Sequence, residues 1–284
     1  MNQSVIEPAS GGPSISPGAG GRAAPPVQEI PAGLRYLTKF LLIPIIAIAT
    51  AFFGCVSLVC GLWDRSGRQQ HLVARVWAAT LLRISFSPVE IVGEEKLEGT
   101  VAVYASNHLS YMDTPVLFAK IPFQFRILAK QALWKTPFVG WYLRRSGQVP
   151  IDSGSSRSAV AGLLRGVAAL KAGMPLMVFP EGGRSPDGQL QATASGCAFM
   201  AIRAGVPLVP IALIGTYELL PMHVYALRPR PLKMVVGDPI PTDGLTTRDA
   251  DALTERLYAE IGKMYYRYSD FPVESWDERG GTSR

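Results

Sequence analysis

Val101-Ala102-Val103-Tyr104-Ala105-Ser106-Asn107-His108-Leu109-Ser110-Tyr111-Met112-Asp113-Thr114-Pro115 holds the organisation of this chain in miniature. The apolar run from Val101 to Tyr104 reads as a strand. A polar stretch then leads into a helix that Pro115 helps to start, because proline is favoured at the first helical position. The pattern repeats outward. Strand-like runs fall at 89–92, 100–104, 125–129, 176–179, 208–214 and 232–236, and helical stretches near 114–120, 131–146, 156–172, 195–204 and 247–267. Gly147, Gly173, Pro175, Gly205 and Pro207 mark several of the boundaries. Such alternation argues an α/β domain with a mostly parallel sheet flanked by helices. Ligands of open α/β sheets gather at the carboxyl ends of the strands.

His108 and Asp113 stand at one of those ends, five positions apart. Five residues on a helix turn a side chain through about 140°, so the two cannot meet on a regular helical face. They meet if His108 stays in the loop and Asp113 enters the first turn of the helix. A neutral imidazole, with an unperturbed pKa of about 6.5, accepts a proton near neutrality. A carboxylate on its other nitrogen fixes the tautomer and stabilises the cation that forms. Taken alone, the pair also admits a plainer reading, with Asn107, Ser110 or Asp113 as a helix cap and His108 as a loop residue. His223 has Glu218 five positions before it, but Pro221 intervenes and no strand leads in. That pair is not expected to be catalytic.

A second strand end carries Phe179-Pro180-Glu181-Gly182-Gly183-Arg184-Ser185. Gly182 and Gly183 allow the backbone to turn and to offer amides to an anion. Arg184 can add a two-pronged contact to phosphate. Ser185, with Pro186-Asp187-Gly188, reads as the turn that closes the loop, and the stretch by itself is also compatible with a surface turn. Base, orienting carboxylate and anion cradle together outline a site that deprotonates a hydroxyl on a phosphorylated substrate. There is no Gly-x-Ser-x-Gly elbow, no phosphate loop ending in Gly-Lys-Ser/Thr and no His-Glu-x-x-His signature. Cys55, Cys60 and Cys197 have no metal-ligand spacing, and no metal is expected.

The N-terminal third has a different composition. Residues 1–32 are rich in Gly, Pro, Ser and Ala and read as a disordered tail. Residues 40–63 carry no charged side chain, which is long enough for a helix to cross a hydrocarbon core. In the following helix, Leu72, Val73, Val76, Trp77, Thr80 and Leu81 recur at helical spacing against Arg68, Gln69, Arg75 and Arg83. A basic helix with an apolar face suits an anionic membrane surface, with His71 at the interface rather than in catalysis. Residues 33–86 are thus expected to anchor the chain, as a span or as a hairpin in one leaflet. Residues 87–270 form the catalytic domain on the cytoplasmic face, and 271–284 a flexible tail. A hydrophobic content of 48% and a net charge of +6 agree with a membrane-bound chain that meets anionic partners. No Lys/Arg block or nucleic-acid motif is present, and no nucleic-acid partner is expected.

These motifs jointly resemble the glycerolipid acyltransferase family, specifically the 1-acylglycerol-3-phosphate acyltransferases. Asn107-His108 with Asp113 is similar to that family's His-x4-Asp motif, and the run from Phe179 to Ser185 to its Phe-Pro-Glu-Gly-Thr-Arg-Ser motif. Lys130-Gln131-x-Leu133-Trp134-x2-Pro137-x2-Gly140-Trp141 and Val206-Pro207-Leu208-Val209-Pro210 agree in order and spacing, so the likeness covers residues 85–265 or so. The resemblance implies that His108 activates the acceptor hydroxyl and Asp113 orients it. It implies that Glu181, Gly182 and Arg184 help to hold the glycerol phosphate, with Asn107, Gly183 and Ser185 beside them, and that Lys130 lies near the thioester or the phosphate. The acyl group comes directly from acyl-CoA or acyl-carrier protein, without cofactor, metal or acyl-enzyme. The expected product of lysophosphatidic acid is phosphatidic acid.

Three departures bear on the acceptor. Gly183 stands where family members commonly have Thr. Ser153 stands where they carry Arg, for which Arg157 one turn later is the expected substitute. Thr193-Ala194-Ser195 replaces a Phe-Lys pair. Another lysolipid acceptor, a non-catalytic lipid-binding protein on the same scaffold, and a hydrolase are the rival readings.

Overall fold

A computed structural model of the chain describes residues 31–136, 139–152, 154–224 and 226–271. All but the last two residues of the expected N-terminal tail, and all but the first of the expected C-terminal one, lie outside the described residues. So does Ser153.

The apolar N-terminal segment is one continuous helical rod. It runs through α1 (Ala32–Leu37), a π-helical turn (Thr38–Leu42) and α2 (Ile43–Cys60). The rod is long and apolar enough to cross a membrane, and only 11% of its most apolar window is buried. α3 (Arg68–Ile84) folds back against it, with the Trp77 indole N–H donating to Thr50 Oγ1 at 3.1 Å. Asp64 shapes the corner: its carboxyl accepts the amides of Ser66, Gly67 and Gln69.

Seven strands follow: β1 (Val89–Val92), β2 (Val103–Ser106), β3 (Arg126–Lys130), β4 (Val149–Ile151), β5 (Leu176–Val178), β6 (Leu208–Ile214) and β7 (Leu232–Val236). Their spatial order is β1-β7-β6-β2-β5-β3-β4, and every neighbouring pair is parallel except β6 and β7. The α/β class with a mostly parallel sheet is therefore as expected. Between the strands lie α4 (Asp113–Lys120), α5 (Val139–Arg145), α6 (Ser156–Lys171), α7 (Gly196–Ala204), α8 (Thr216–Leu219) and α9 (Ala250–Tyr268).

Strand periodicity divides the core into two layers, because successive side chains point to opposite faces. Val103 and Ala105 of β2 join Leu208 and Ala212 of β6 in the cluster completed by α6, α7 and α9. Tyr104 joins Val209, Ile211 and Leu213 in the other cluster, under α3 and α4.

Three local expectations are corrected. The helix expected over 131–146 is broken into a 3-10 turn (Gln131–Lys135) and α5. Thr136, which precedes Pro137, is extended (φ −75°, ψ 127°), as the proline ring demands of its predecessor. β4 was not foreseen; Pro150 sits in it without penalty because β4 is an edge strand. In α3 only Leu81 of the expected apolar stripe is buried, while Leu72 and Val76 are exposed. The buried stripe is Gln70, His71, Ala74, Ala78, Leu81 and Leu82. Small alanines let α4 approach closely, and hydropathy ranks them below the Leu and Val that remain outside.

His71 is accordingly a core residue and not an interfacial one. Its Nε2–H donates to Phe123 O at 3.1 Å, its ring packs edge-on against Phe125, and its Nδ1 is buried without a partner. Burial, then the charges of Arg126 and Arg75, pull its pKa from 6.5 down to about 4. The unfolded chain therefore takes up a proton that the folded one refuses between these values, and stability falls as pH drops through that window. Melting curves should show this loss from pH 6.5 towards 4, and His71→Phe should flatten it; an unchanged slope in that variant would contradict the assignment.

Candidate functional site

The loop after β2 is built by three side chains that satisfy backbone groups. Asn107 is wholly buried; its Nδ2 donates to Leu213 O at 2.9 Å and its Oδ1 accepts the Leu213 N–H at 2.7 Å. This pair of bonds ties the loop to β6. Ser110 Oγ donates to Leu220 O at 2.8 Å and accepts the Met112 amide. Asp113, the first residue of α4, turns its carboxyl back into the loop. Its Oδ2 accepts from His108 Nδ1 at 2.9 Å and from the amides of Leu109 and Ser110 at 2.7 and 2.8 Å.

His108 and Asp113 therefore meet, as the loop-and-first-turn geometry anticipates. With Nδ1–H given to Asp113, Nε2 is left as the acceptor. The imidazole side chain is 12% exposed and the carboxylate fully buried, so the ring is the part that outside molecules can reach. Phe179 stacks under the ring at 3.9 Å and 15°. That contact covers one face and leaves the edge bearing Nε2.

The loop after β5 grips the same residue. Glu181 Oε1 accepts the His108 amide at 3.2 Å, and the Ser185 amide donates to the His108 carbonyl at 2.8 Å. Gly182 has φ +66° and nothing within 4 Å of an added Cβ, so glycine serves the backbone turn and the space above it is open. Gly183 is equally open, without the positive φ, so the side chain of a threonine would fit there. The Arg184 guanidinium lies over the Tyr111 ring at 4.1 Å. Among the described residues no carboxylate pairs with it, and its Nε is buried without a partner. A cation held by a ring, at the mouth of an open glycine turn, is suited to bind an anion.

Glu181 is mostly buried. Burial raises its pKa to about 8 against the pull of the Tyr258 hydroxyl and the His108 amide, and the charge of Asp113 adds to the rise. The carboxyl is thus largely neutral at pH 7. Among the described residues no group of His, Cys, Asp and Glu is placed to hold a metal ion. Burial lifts the Cys197 thiol to about 12, which removes it as a nucleophile. Glu218 faces Arg230 at 3.7 Å.

The expected substrate-binding residues divide. Gly182, Gly183 and Arg184 lie beside His108, and Glu181 braces it. Asn107 and Ser185 do not face a substrate: both are fully buried, and Ser185 Oγ is used within its own turn, donating to Asp187 at 2.9 Å and accepting the Gly188 amide at 3.0 Å. They are corrected to structural residues. Lys130 at the end of β3 and Arg157 in the first turn of α6 are exposed at the same end of the sheet, but neither joins the cluster. Tyr111, Phe179 and Tyr258 were not singled out in sequence. Tyr258 falls on a regular buried stripe of α9, and its hydroxyl donates to Glu181 Oε1 at 2.8 Å.

Comparison with known proteins points in one direction. Residues 88–214 match the family model described as Acyltransferase. The chain is 34% identical over 185 residues to the chloroplastic 1-acyl-sn-glycerol-3-phosphate acyltransferase of Arabidopsis thaliana, covering 62% of this chain and 51% of that protein. It is 27% identical over 228 residues to the 1-acyl-sn-glycerol-3-phosphate acyltransferase of Saccharomyces cerevisiae, covering 79% and 75%. The crystal structure of the 1-acyl-sn-glycerophosphate acyltransferase of Thermotoga maritima superposes with a TM-score of 0.65 at 25% identity, covering 81% of this chain and 95% of that one. The chain spans about half the length of the first curated relatives it matches.

The reassignment of Asn107 is open to test. Asn107→Ala leaves the Leu213 N–H and C=O unpaired in a sealed position and should cost about 2–4 kcal/mol in urea unfolding, since each such buried group costs about 1–3 kcal/mol. Acceptor KM should stay at the wild-type value; a raised KM with unchanged stability would restore Asn107 to the substrate site.

Proposed function

We propose that the chain is an acyltransferase of this kind, moving a fatty acyl group from acyl-CoA or acyl-carrier protein to the free sn-2 hydroxyl of lysophosphatidic acid and giving phosphatidic acid. One observation carries the reading: a His108–Asp113 pair whose free Nε2 lies beside an uncompensated arginine and two open glycines. Nε2 accepts the hydroxyl proton as the acceptor oxygen attacks the thioester carbonyl. Asp113 stabilises the imidazolium that results. When the tetrahedral intermediate collapses, the carbon–sulfur bond breaks and the proton on Nε2 passes to the departing sulfur. Arg184 and the Gly182–Gly183 amides hold the acceptor phosphate, and Lys130 and Arg157 supply further positive charge at the strand ends for phosphate groups of either substrate.

We infer further that the α1–α2 rod anchors the chain in a membrane with the catalytic domain on the cytoplasmic face. Phe40, Ile48, Phe52 and Val59 of the rod are exposed, as are Leu62 and Trp63 beyond it and Leu72 and Val76 of α3. These side chains offer apolar area to lipid, and Arg65 and Arg68, at the turn between the rod and α3, are exposed as well. A different lysolipid acceptor remains the second reading, because Gly183 lacks the hydroxyl that threonine would bring to the phosphate.

His108→Ala should lower turnover by on the order of 10²–10⁴, the usual contribution of a general base, with membrane association and melting temperature retained. A panel of lysolipids with one acyl-CoA, and with one acyl-carrier protein, identifies both substrates. Substantial residual activity in the alanine variant, or fatty acid released at full rate without acceptor, would overturn the reading.

A further inference from the structure

Among the described residues, Tyr258 is the residue from outside the two strand-end loops whose side chain donates to the Glu181 carboxyl. It comes from α9, 77 residues beyond Glu181 in sequence, and it is 6% exposed. Its hydroxyl donates to Glu181 Oε1 at 2.8 Å, and the same oxygen accepts the His108 amide at 3.2 Å. A single carboxyl oxygen thus couples the C-terminal helix to the backbone of the residue that carries the imidazole. Glu181 Oε2 is sealed from solvent and has no hydrogen-bond partner. Both donors fall on Oε1, so the carboxyl is anchored through that one oxygen.

A buried tyrosine hydroxyl needs an acceptor, and a backbone carbonyl would suffice. Tyr265, two turns further along α9, takes one: its hydroxyl donates to Gly188 O at 2.7 Å. Tyr258 takes a carboxyl instead, one already engaged with His108. We propose that Tyr258 is a positioning residue for acyl transfer, fixing the Glu181 carboxyl and, through it, the height of His108 against Asp113 and Phe179. The kinetic consequence rests on the function proposed above, whereas the positional one rests on geometry alone.

The groups that face Glu181 set the expected pH behaviour. Tyr258 and Tyr265 approach from α9, Asp113 from α4, the His108 amide from the β2 loop and the Gln191 amide from its own loop. Burial and Asp113 oppose ionisation, and the Tyr258 hydroxyl and the two amides favour it. Above about pH 8, the pKa to which Glu181 is raised, its new charge stands beside Asp113 and repels an anionic acceptor. Removing the Tyr258 hydroxyl removes a donor to the ionised form, so that ionisation moves to higher pH.

Wild type, Tyr258→Phe and Tyr265→Phe are compared in detergent by steady-state kinetics across the alkaline range and by the carbon–proton resonances of the imidazoles, of which the chain has three. A misplacement of about 1 Å can cost on the order of 10²-fold in rate, and a shift relayed through one carboxyl should cost about tenfold. Tyr258→Phe should therefore lower kcat about tenfold with acceptor KM retained, move the alkaline limb upward, and shift the His108 resonance in the substrate-free protein. Tyr265→Phe, which loses a comparable buried bond, should lower the melting temperature and leave the limb and the resonance in place. An unmoved His108 resonance and limb in Tyr258→Phe, or equal effects in the two variants, would overturn the proposal. Wild-type protein that acylates no lysolipid would refute the function, and the His108 resonance would still decide the role of Tyr258.

Discussion

The peptide of His108 is held from both sides, its amide by the Glu181 carboxyl and its carbonyl by the Ser185 amide. That double grip exists because β2 and β5 are adjacent and parallel, with Val103 opposite Leu176, so their carboxyl ends release two loops side by side. Both loops are partly buried, so their polar groups need partners, and they find some of them in each other. His108 and Arg184 are thereby brought together by the sheet rather than by nearness in sequence.

Around this clamp the polar residues separate by burial into those that position and those that bind. Asn107, Asp113 and Ser185 are fully buried and spend their hydrogen bonds on backbone groups, on His108 or on Asp187. His108, Gly182, Gly183 and Arg184 keep some exposure and present an acceptor nitrogen, an open backbone turn and a positive charge. A framework tied down by its own hydrogen bonds holds the groups it presents in place, which is the condition for electrostatic stabilisation of a developing charge.

The parts that were legible in sequence are those governed by local rules. β1, β6, β7 and α3 lie where the apolar runs and helical spacing put them. The His108–Asp113 contact follows from Pro115 and the length of the loop. What escaped detection depends on partners distant in the chain. The buried face of α3 is chosen by α4, so Ala78 goes in and Val76 stays out. Asn107 looks like a loop residue until Leu213 arrives beside it, and Tyr258 looks like any core tyrosine until Glu181 meets its hydroxyl. Ser185 resembles a ligand-binding serine in its motif, although the turn that follows consumes its hydroxyl.

The Arg184 guanidinium rests on the flat of Tyr111, a side chain 45% exposed, instead of on an acid. An aromatic quadrupole attracts a cation without neutralising it. Arg184 therefore keeps its positive charge, and among the described residues no carboxylate stands as a counter-ion that an incoming anion would have to dislodge. Attraction of that sort reaches only about 8–10 Å at physiological ionic strength. Binding of an anion beside Arg184 should thus weaken as electrolyte is added.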